Sequence, residues 1–331
     1  MIRPSLLLHL RTQLRLSTSL HRQGLFTFAS KPDRLAEFGR YDLLLPNPQG
    51  QPQLPSASLL QRSVPAHIRR PLYDAHTGRP LVFLPEPEIK SSEAIAKMKA
   101  SCQLAKKILQ IASEAAREGV TTNEIDRIAH DQIITHNAYP SPLGYMGFPK
   151  SICTSINNVV VHGIPDDRPL KNGDMINIDV TVYLDGYHGD TSATVLVGDV
   201  DEAGRQLAEK TKEAMHQAIA LCKPGAYFSD IGYVINTIAD QNGYSVNSEF
   251  CGHGIGRHFH EPPLIYHFEN DEDGVMEEGM TFTIEPIFNQ GTSDTLKWDD
   301  NWTAVTKDGG RSAQFEHTIL ITQDGHEILT A

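Results

Sequence analysis

Cysteine is scarce. The 331 residues contain Cys102, Cys153, Cys222 and Cys251, and no two of them form a C-x-x-C pair. That spacing argues against a structural zinc knuckle. Four cysteines in this length do not make a disulfide framework either, so they read as reduced thiols in an intracellular compartment. No stretch approaches the length of a membrane helix, and the apolar run Leu6-Leu7-Leu8 is too short for a secretory core. A cationic excess is also missing. Lys plus Arg number 29 against 41 Asp plus Glu, a formal net charge of −12. This balance counts against nucleic acid as the main partner. It suits a site that receives a protonated amine, although an acidic surface that only aids solubility is the plain alternative.

Acidic residues are absent from positions 1–32, where Arg3, Arg11, Arg15, Arg22 and Lys31 alternate with leucine, serine and threonine. A basic, Ser-rich, acid-free start is the pattern of an organelle transit peptide; the alternative is a disordered basic tail. Positions 33–87 carry Pro46, Pro48, Pro52, Pro55, Pro65, Pro71, Pro80, Pro85 and Pro87. They read as an extended arm without its own core. Its more apolar and basic part, Val64 to Pro80, is expected to lie against the main domain, which spans positions 88–331.

Structure is expected to begin near Glu88, and Ile95, Met98, Leu104, Ile108, Leu109 and Ile111 recur at helical spacing up to Gly119. Thr121-Thr122-Asn123-Glu124 predicts a capped second helix with Ile125, Ile128 and Ile133 on one face. A Pro/Gly-rich loop follows, then strands at Ile152–Ile156, Val159–His162, Met175–Tyr183 and His188–Val197. The second half repeats this grammar. Helices are expected over Glu202–Leu221 and Ser229–Gln241, then strands at Phe250–Cys251, Thr281–Pro286, Trp302–Thr306 and Ala313–Thr322. Two helices and a strand set, twice over, predict an α+β domain with internal pseudo-symmetry.

The strand Ile176–Tyr183 ends in Asp185-Gly186, a two-residue hairpin turn. With that turn, Thr181 faces Asp190, and Asp179 shares its face. Asp179 and Asp190 become diagonal neighbours about 7–8 Å apart at Cα. Two carboxylates aimed together inside an apolar hairpin repel, and at least one takes up a proton unless a cation lies between them. Surface aspartates, or an aspartate bonded to arginine, are the alternatives. Further donors stand in apolar contexts: Gly-flanked His253, Glu285 at the end of Thr281–Ile284, and Glu316 before Thr318-Ile319-Leu320. Each alone is more often structural. Together, four carboxylates and one imidazole suit Mn, Fe, Co or Zn.

These motifs occur in a recognisable order: His162-Gly163-Ile164-Pro165, Asn177-Ile178-Asp179-Val180, Gly189-Asp190-Thr191-Ser192, Gly252-His253-Gly254-Ile255-Gly256, Thr283-Ile284-Glu285-Pro286 and Gln314-Phe315-Glu316-His317-Thr318. From about Glu88 to the C-terminus the chain resembles type 1 methionine aminopeptidases. The stretch His136–Tyr145 looks like the mitochondrial form, which implies a mitochondrial rather than plastid location. The resemblance implies the pita-bread fold, two pseudo-symmetric halves around a metal pair. It places Asp179, Asp190, His253, Glu285 and Glu316 on the five ligand positions, and His162 and His260 on the two histidines that contact substrate. Met146 stands where bacterial relatives often carry histidine.

The implied chemistry is hydrolysis of the first peptide bond. Glu285 is the candidate for moving a proton from the attacking water, His260 for bonding the carbonyl or oxyanion, and His162 for a contact near the scissile amide. Tyr145, Phe148, Cys153, Phe259 and Trp302 would line a narrow apolar pocket for methionine, with small second residues favoured. Asn157, Val159 and Ser312 match positions that hold a monovalent cation in relatives. The substrate would be the amino-terminal methionine of a nascent polypeptide, handled by a monomer without nucleic acid or membrane. A proline-specific peptidase of the same fold would share the ligands but need another pocket. A non-catalytic binding relative would typically have lost ligands.

Overall fold

The computed structural model describes residues 38–46, 62–73 and 76–331. The expected transit peptide lies outside them, as does part of the expected Pro-rich arm. Helix α1, Ser92–Ala115, starts where Ser91 Oγ accepts the Ala94 N–H, and buries Met98, Cys102, Ala105, Ile108 and Ala112 along one stripe. Helix α2, Thr122–Thr135, is capped by Thr121 Oγ1 on Glu124 N–H. Its buried face holds Ile125, Ala129 and Ile133, while Ile128 is only half-buried. Each fully buried isoleucine here contributes about 1.5–3 kcal/mol.

The first half continues with β1 (Tyr139–Pro140), β2 (Cys153–Ile156), β3 (Val159–Val161), β4 (Met175–Leu184) and β5 (Tyr187–Leu196). The second half has α3 (Glu202–Ile219), α4 (Ser229–Gln241), β6 (Ser245–Val246), β7 (Gly252–Gly254), β8 (Glu261–Ile265), β9 (Thr281–Ile284) and β10 (Ile287–Asn289). It ends with β11 (Thr295–Lys297), β12 (Ala304–Thr306), β13 (Ser312–Gln314), β14 (Glu316–Thr322) and β15 (Gly325–Ile328). The main sheet runs β1-β4-β5-β14-β9-β7-β8, with β2 on β4 and β15 on β14. Ile108, Ile125 and Ile133 pack with Ile176, Ile178, Val180 and Val182. Leu207, Met215, Ile231 and Ile235 pack with Phe282, Ile284 and Ile319. Each helix pair thus backs its own half of one continuous sheet, the pseudo-symmetric pita-bread arrangement.

Several boundaries differ from expectation for local reasons. Asn247 Oδ1 accepts the N–H groups of Glu249 and Phe250, which holds Phe250–Cys251 out of the sheet and starts β7 at Gly252. Asp300 Oδ1 does the same for Trp302 and Thr303, so β12 starts at Ala304. The expected strand Ala313–Thr322 divides at Phe315, its first part pairing β10 and its second entering the main sheet. The short strands β1, β6, β8, β10, β11 and β15 lie outside the expected strand ranges.

Candidate active site

The hairpin of β4 and β5 pairs Thr181 with Asp190 and Asp179 with Ser192, turning through Asp185 (φ 50°) and Gly186 (φ 95°). This is the register expected from the Asp-Gly turn, whose two positive φ values favour glycine at its second position. Strand β14 lies beside β5 with Glu316 opposite Ser192, one diagonal step from Asp190. Strand β9 pairs Ile284 with His317, so Glu285 emerges just past the ladder, beside Glu316. Strand β7 lies on the far side of β9. Five adjacent strands therefore each present one donor.

Those side chains converge. Ligand atoms of Asp190, His253 and Glu316 lie within 4.8 Å of one another, and all three residues are buried. His253 Nε2 is 3.6 Å from Glu285 Oε1 and 3.9 Å from Asp190 Oδ2. Burial pushes the Asp179 carboxyl up to about 7 and that of Glu285 up to about 8. Asp190 and Glu316 are raised well above the carboxylate range, first by burial and then by the neighbouring carboxylates. His253 is pushed down to about 4 by burial, so it is neutral near pH 7.

Neighbours aim these groups. His253 Nδ1 lies 3.1 Å from Gly254 O and donates to it, which leaves Nε2 as a bare donor to a metal. Thr181 Oγ1 donates to Asp190 Oδ1 at 2.6 Å. Thr283 Oγ1 donates to Glu285 Oε1 at 2.8 Å and accepts the His253 N–H at 3.0 Å. Gln314 Nε2 donates to Glu285 Oε2 at 3.2 Å. The Glu285 N–H donates to His267 Nε2 at 3.1 Å. Asp179 Oδ1 is buried with no hydrogen-bond partner. A buried carboxylate oxygen without a donor, four crowded carboxyls and a lone-pair nitrogen fit a divalent cation.

The aromatic residues form two adjoining walls. Tyr145 packs on Phe259 at 5.0 Å between centroids, and Phe259 stacks on His260 at 4.2 Å. His260 lies 4.2 Å from the His253 ring and 2.9 Å through Nδ1 from the Tyr145 hydroxyl. On the other side, Phe148 meets Trp302 edge-on at 5.0 Å, and Trp302 meets His162 at 5.8 Å. His162 is held at φ 58°, a costly backbone for a residue with a Cβ, and burial pushes its imidazole down to about 4. Cys153, in β2, sits opposite Asp179 in the ladder.

The family model described as metallopeptidase family M24 matches residues 96–323. Human "Methionine aminopeptidase 1D, mitochondrial" is 53% identical over 277 residues, 84% of this chain and 82% of that protein. Arabidopsis thaliana "Methionine aminopeptidase 1B, chloroplastic" is 56% identical over 267 residues, 81% of this chain and 72% of that one. The solved methionine aminopeptidase of Rickettsia prowazekii superposes with a TM-score of 0.73 at 48% identity, covering 74% of this chain and all of its own. The chain belongs to the methionine aminopeptidases of family M24. It is accordingly a metal-dependent aminopeptidase, a hydrolase. Thr283 and Gln314, which stand in the sequence motifs without an expected role, and His267, which stands outside them, hold the donors in place. Thr283-x-Glu285 carried a usable signal, since residues two apart on a strand share a face; His267 carried none.

Proposed function

We propose that this chain removes the amino-terminal methionine of newly made polypeptides using two divalent ions held by Asp179, Asp190, His253, Glu285 and Glu316. The observation that carries this reading is five donors, on or at the end of five neighbouring strands, with the rings of Phe259 and His260 packed beside His253. When bound, such ions supply Lewis acidity toward water and the scissile carbonyl. The chain's own groups do the rest. Glu285, held by Thr283 and Gln314, takes the proton of the attacking water and passes it to the leaving amine. His260 donates from Nε2 to the carbonyl oxygen as negative charge develops on it. His162 contacts the substrate near the scissile amide. Tyr145, Phe148, Cys153, Phe259 and Trp302 close around one unbranched thioether side chain. Small second residues are favoured for steric reasons.

The ions are taken from Mn, Fe, Co and Zn, which match carboxylate and imidazole ligands. A monovalent cation at Asn157, Val159 and Ser312 is part of the same reading, supported by a buried Ser312 Oγ without a hydrogen-bond partner. The acid-free, basic positions 1–32 support import into mitochondria, and positions 33–87 and 88–331 are read as arm and catalytic domain. The enzyme is read as a monomer acting on polypeptide, away from nucleic acid and membrane, in line with its net charge of −12.

Metal-free protein loaded in turn with Mn, Fe, Co and Zn should hydrolyse Met-Ala-Ser and spare Ala-Pro peptides. It should bind two ions per chain, and Asp179→Ala should lose both activity and one ion. Preference for Ala-Pro, or activity untouched by chelation, would sink the reading.

A further inference from the structure

Described parts of the arm are fastened to the catalytic domain at several points. Arg62 Nε donates to Asp126 Oδ2 on α2 at 2.8 Å. Just past the arm, Lys90 Nζ donates to Glu261 Oε1 at 2.6 Å, both side chains buried, and Glu261 follows His260 directly. Between these anchors the Met146 N–H donates to Gly78 O at 3.0 Å. Gly78 has φ 67°, and a Cβ there would lie 1.8 Å from Gly144 O. Only glycine allows the arm to approach the Tyr145 turn so closely. Val64 and Ile68 of the arm share a buried cluster with Tyr139, Leu143 and Tyr183.

Tyr73 sits in this strap. Its hydroxyl donates to Ser141 O at 3.0 Å. Its ring meets Tyr145 at 5.2 Å and an interplanar angle of 62°. Tyr145, in turn, holds its hydroxyl 2.9 Å from His260 Nδ1. The direction of that last bond decides what His260 can do. A neutral imidazole carries one N–H. To donate from Nε2, His260 must keep Nδ1 bare, and a bare Nδ1 needs a donor. The Tyr145 hydroxyl is placed to be that donor. With the reverse orientation, a bare Nε2 would face the substrate carbonyl oxygen lone pair to lone pair.

We propose that Tyr73 is a positioning residue of the active site: it braces Tyr145 so that the Tyr145 hydroxyl donates to His260 Nδ1 and keeps the hydrogen of His260 on Nε2. The arm is thereby part of the catalytic apparatus. This rests on the role given to His260 above.

The test compares Tyr73→Ala, Tyr73→Phe, Tyr145→Phe and the Tyr73→Ala/Tyr145→Phe double variant with the parent enzyme. Losing one neutral hydrogen bond that acts only on the transition state should lower kcat on Met-Ala-Ser about tenfold in Tyr73→Ala and in Tyr145→Phe, with KM nearly unchanged. Tyr73→Phe keeps the ring and should keep kcat. The double variant should lose no more than Tyr145→Phe alone, because both changes act through one hydroxyl. A second readout does not need activity: the imidazole nitrogen shifts of His260 in zinc-loaded protein, assigned by difference with His260→Gln. Nδ1 should be unprotonated in the parent and in Tyr73→Phe, and mixed between tautomers in Tyr73→Ala. Additive losses in the double variant, a Tyr73→Phe as poor as Tyr73→Ala, or His260 shifts unmoved by Tyr73→Ala would each overturn the proposal. If Tyr73→Ala fails to fold, Tyr73→Leu replaces it with the same expectations. Parent enzyme inactive on Met-Ala-Ser would refute the functional reading, while the nitrogen shifts would still decide the role of Tyr73.

Discussion

The two halves of the sheet bring the candidate metal donors together by different means. Asp179 and Asp190 come from one hairpin, and the Asp185-Gly186 turn alone sets their register. His253 and Glu316 come from β7 and β14 and Glu285 from the end of β9, strands whose neighbours in space are not their neighbours in the chain. The first pair is local and forms wherever the hairpin forms. The second set exists only once the whole sheet has assembled, so it depends more on hydrogen bonds that lock each side chain in place. Thr181 serves one carboxylate on the hairpin side. Thr283 serves both the Glu285 carboxylate and the His253 backbone on the other.

The sharpest way to test that contrast is to remove the two hydroxyls. Thr181→Val and Thr283→Val should both weaken divalent-ion binding, within the roughly 10–100-fold range typical of groups that hold a ligand. Thr283→Val should lose more, because it loosens two donors. Calorimetric titration of Mn or Zn into metal-free protein reads this, and a larger loss from Thr181→Val would reverse the comparison.

Proton uptake gives a second test. The carboxyls are raised by burial, Asp179 to about 7 and Glu285 to about 8. Ions must therefore displace protons, and affinity should rise with pH through that window and flatten above it. In the metal-free protein the folded pKa values exceed the unfolded ones near 4. The stability these groups supply is thus full below about pH 4 and lost as pH rises through 7 to 8. The melting temperature of chelated protein should fall from pH 5 to pH 9. Affinity and melting that ignore pH would contradict the crowded-carboxyl picture.

The smallest expected effect is at the turn. Gly186→Ala forces a Cβ onto φ 95° and within 2.9 Å of Arg69 Nη1. It should cost about 1–3 kcal/mol of stability, read by urea unfolding, while changing ion affinity less than either threonine variant. A large affinity loss would show that the hairpin is less autonomous than its register suggests.

Much of the site was legible before folding, for reasons that differ by residue. Asp179 and Asp190 could be paired from alternation and a turn, both short-range rules. Glu285 and Glu316 were visible as charges that apolar strands cannot bury alone. The aromatic walls were not derivable, since from sequence alone Tyr145, Phe148 and Trp302 read better as core than as pocket, and only the family resemblance singled them out. Strand limits at Phe250 and Trp302 shifted because the side chains of Asn247 and Asp300 captured backbone N–H groups. The arm was legible as extended, but its hold on Tyr145 was not, because proline content reports stiffness and says nothing of where a strap lands.

By itself, the sequence determined the helices, the β4–β5 register and the chemical demand for a cation, because capping, alternation and the cost of buried charge act within a few residues. Tertiary structure alone decided that β14, β9 and β7 line up beside that hairpin and that Tyr73 reaches Tyr145. Those contacts join residues far apart in the chain, and which distant surfaces meet is settled only by how the two helix pairs and the sheet between them bury their apolar faces.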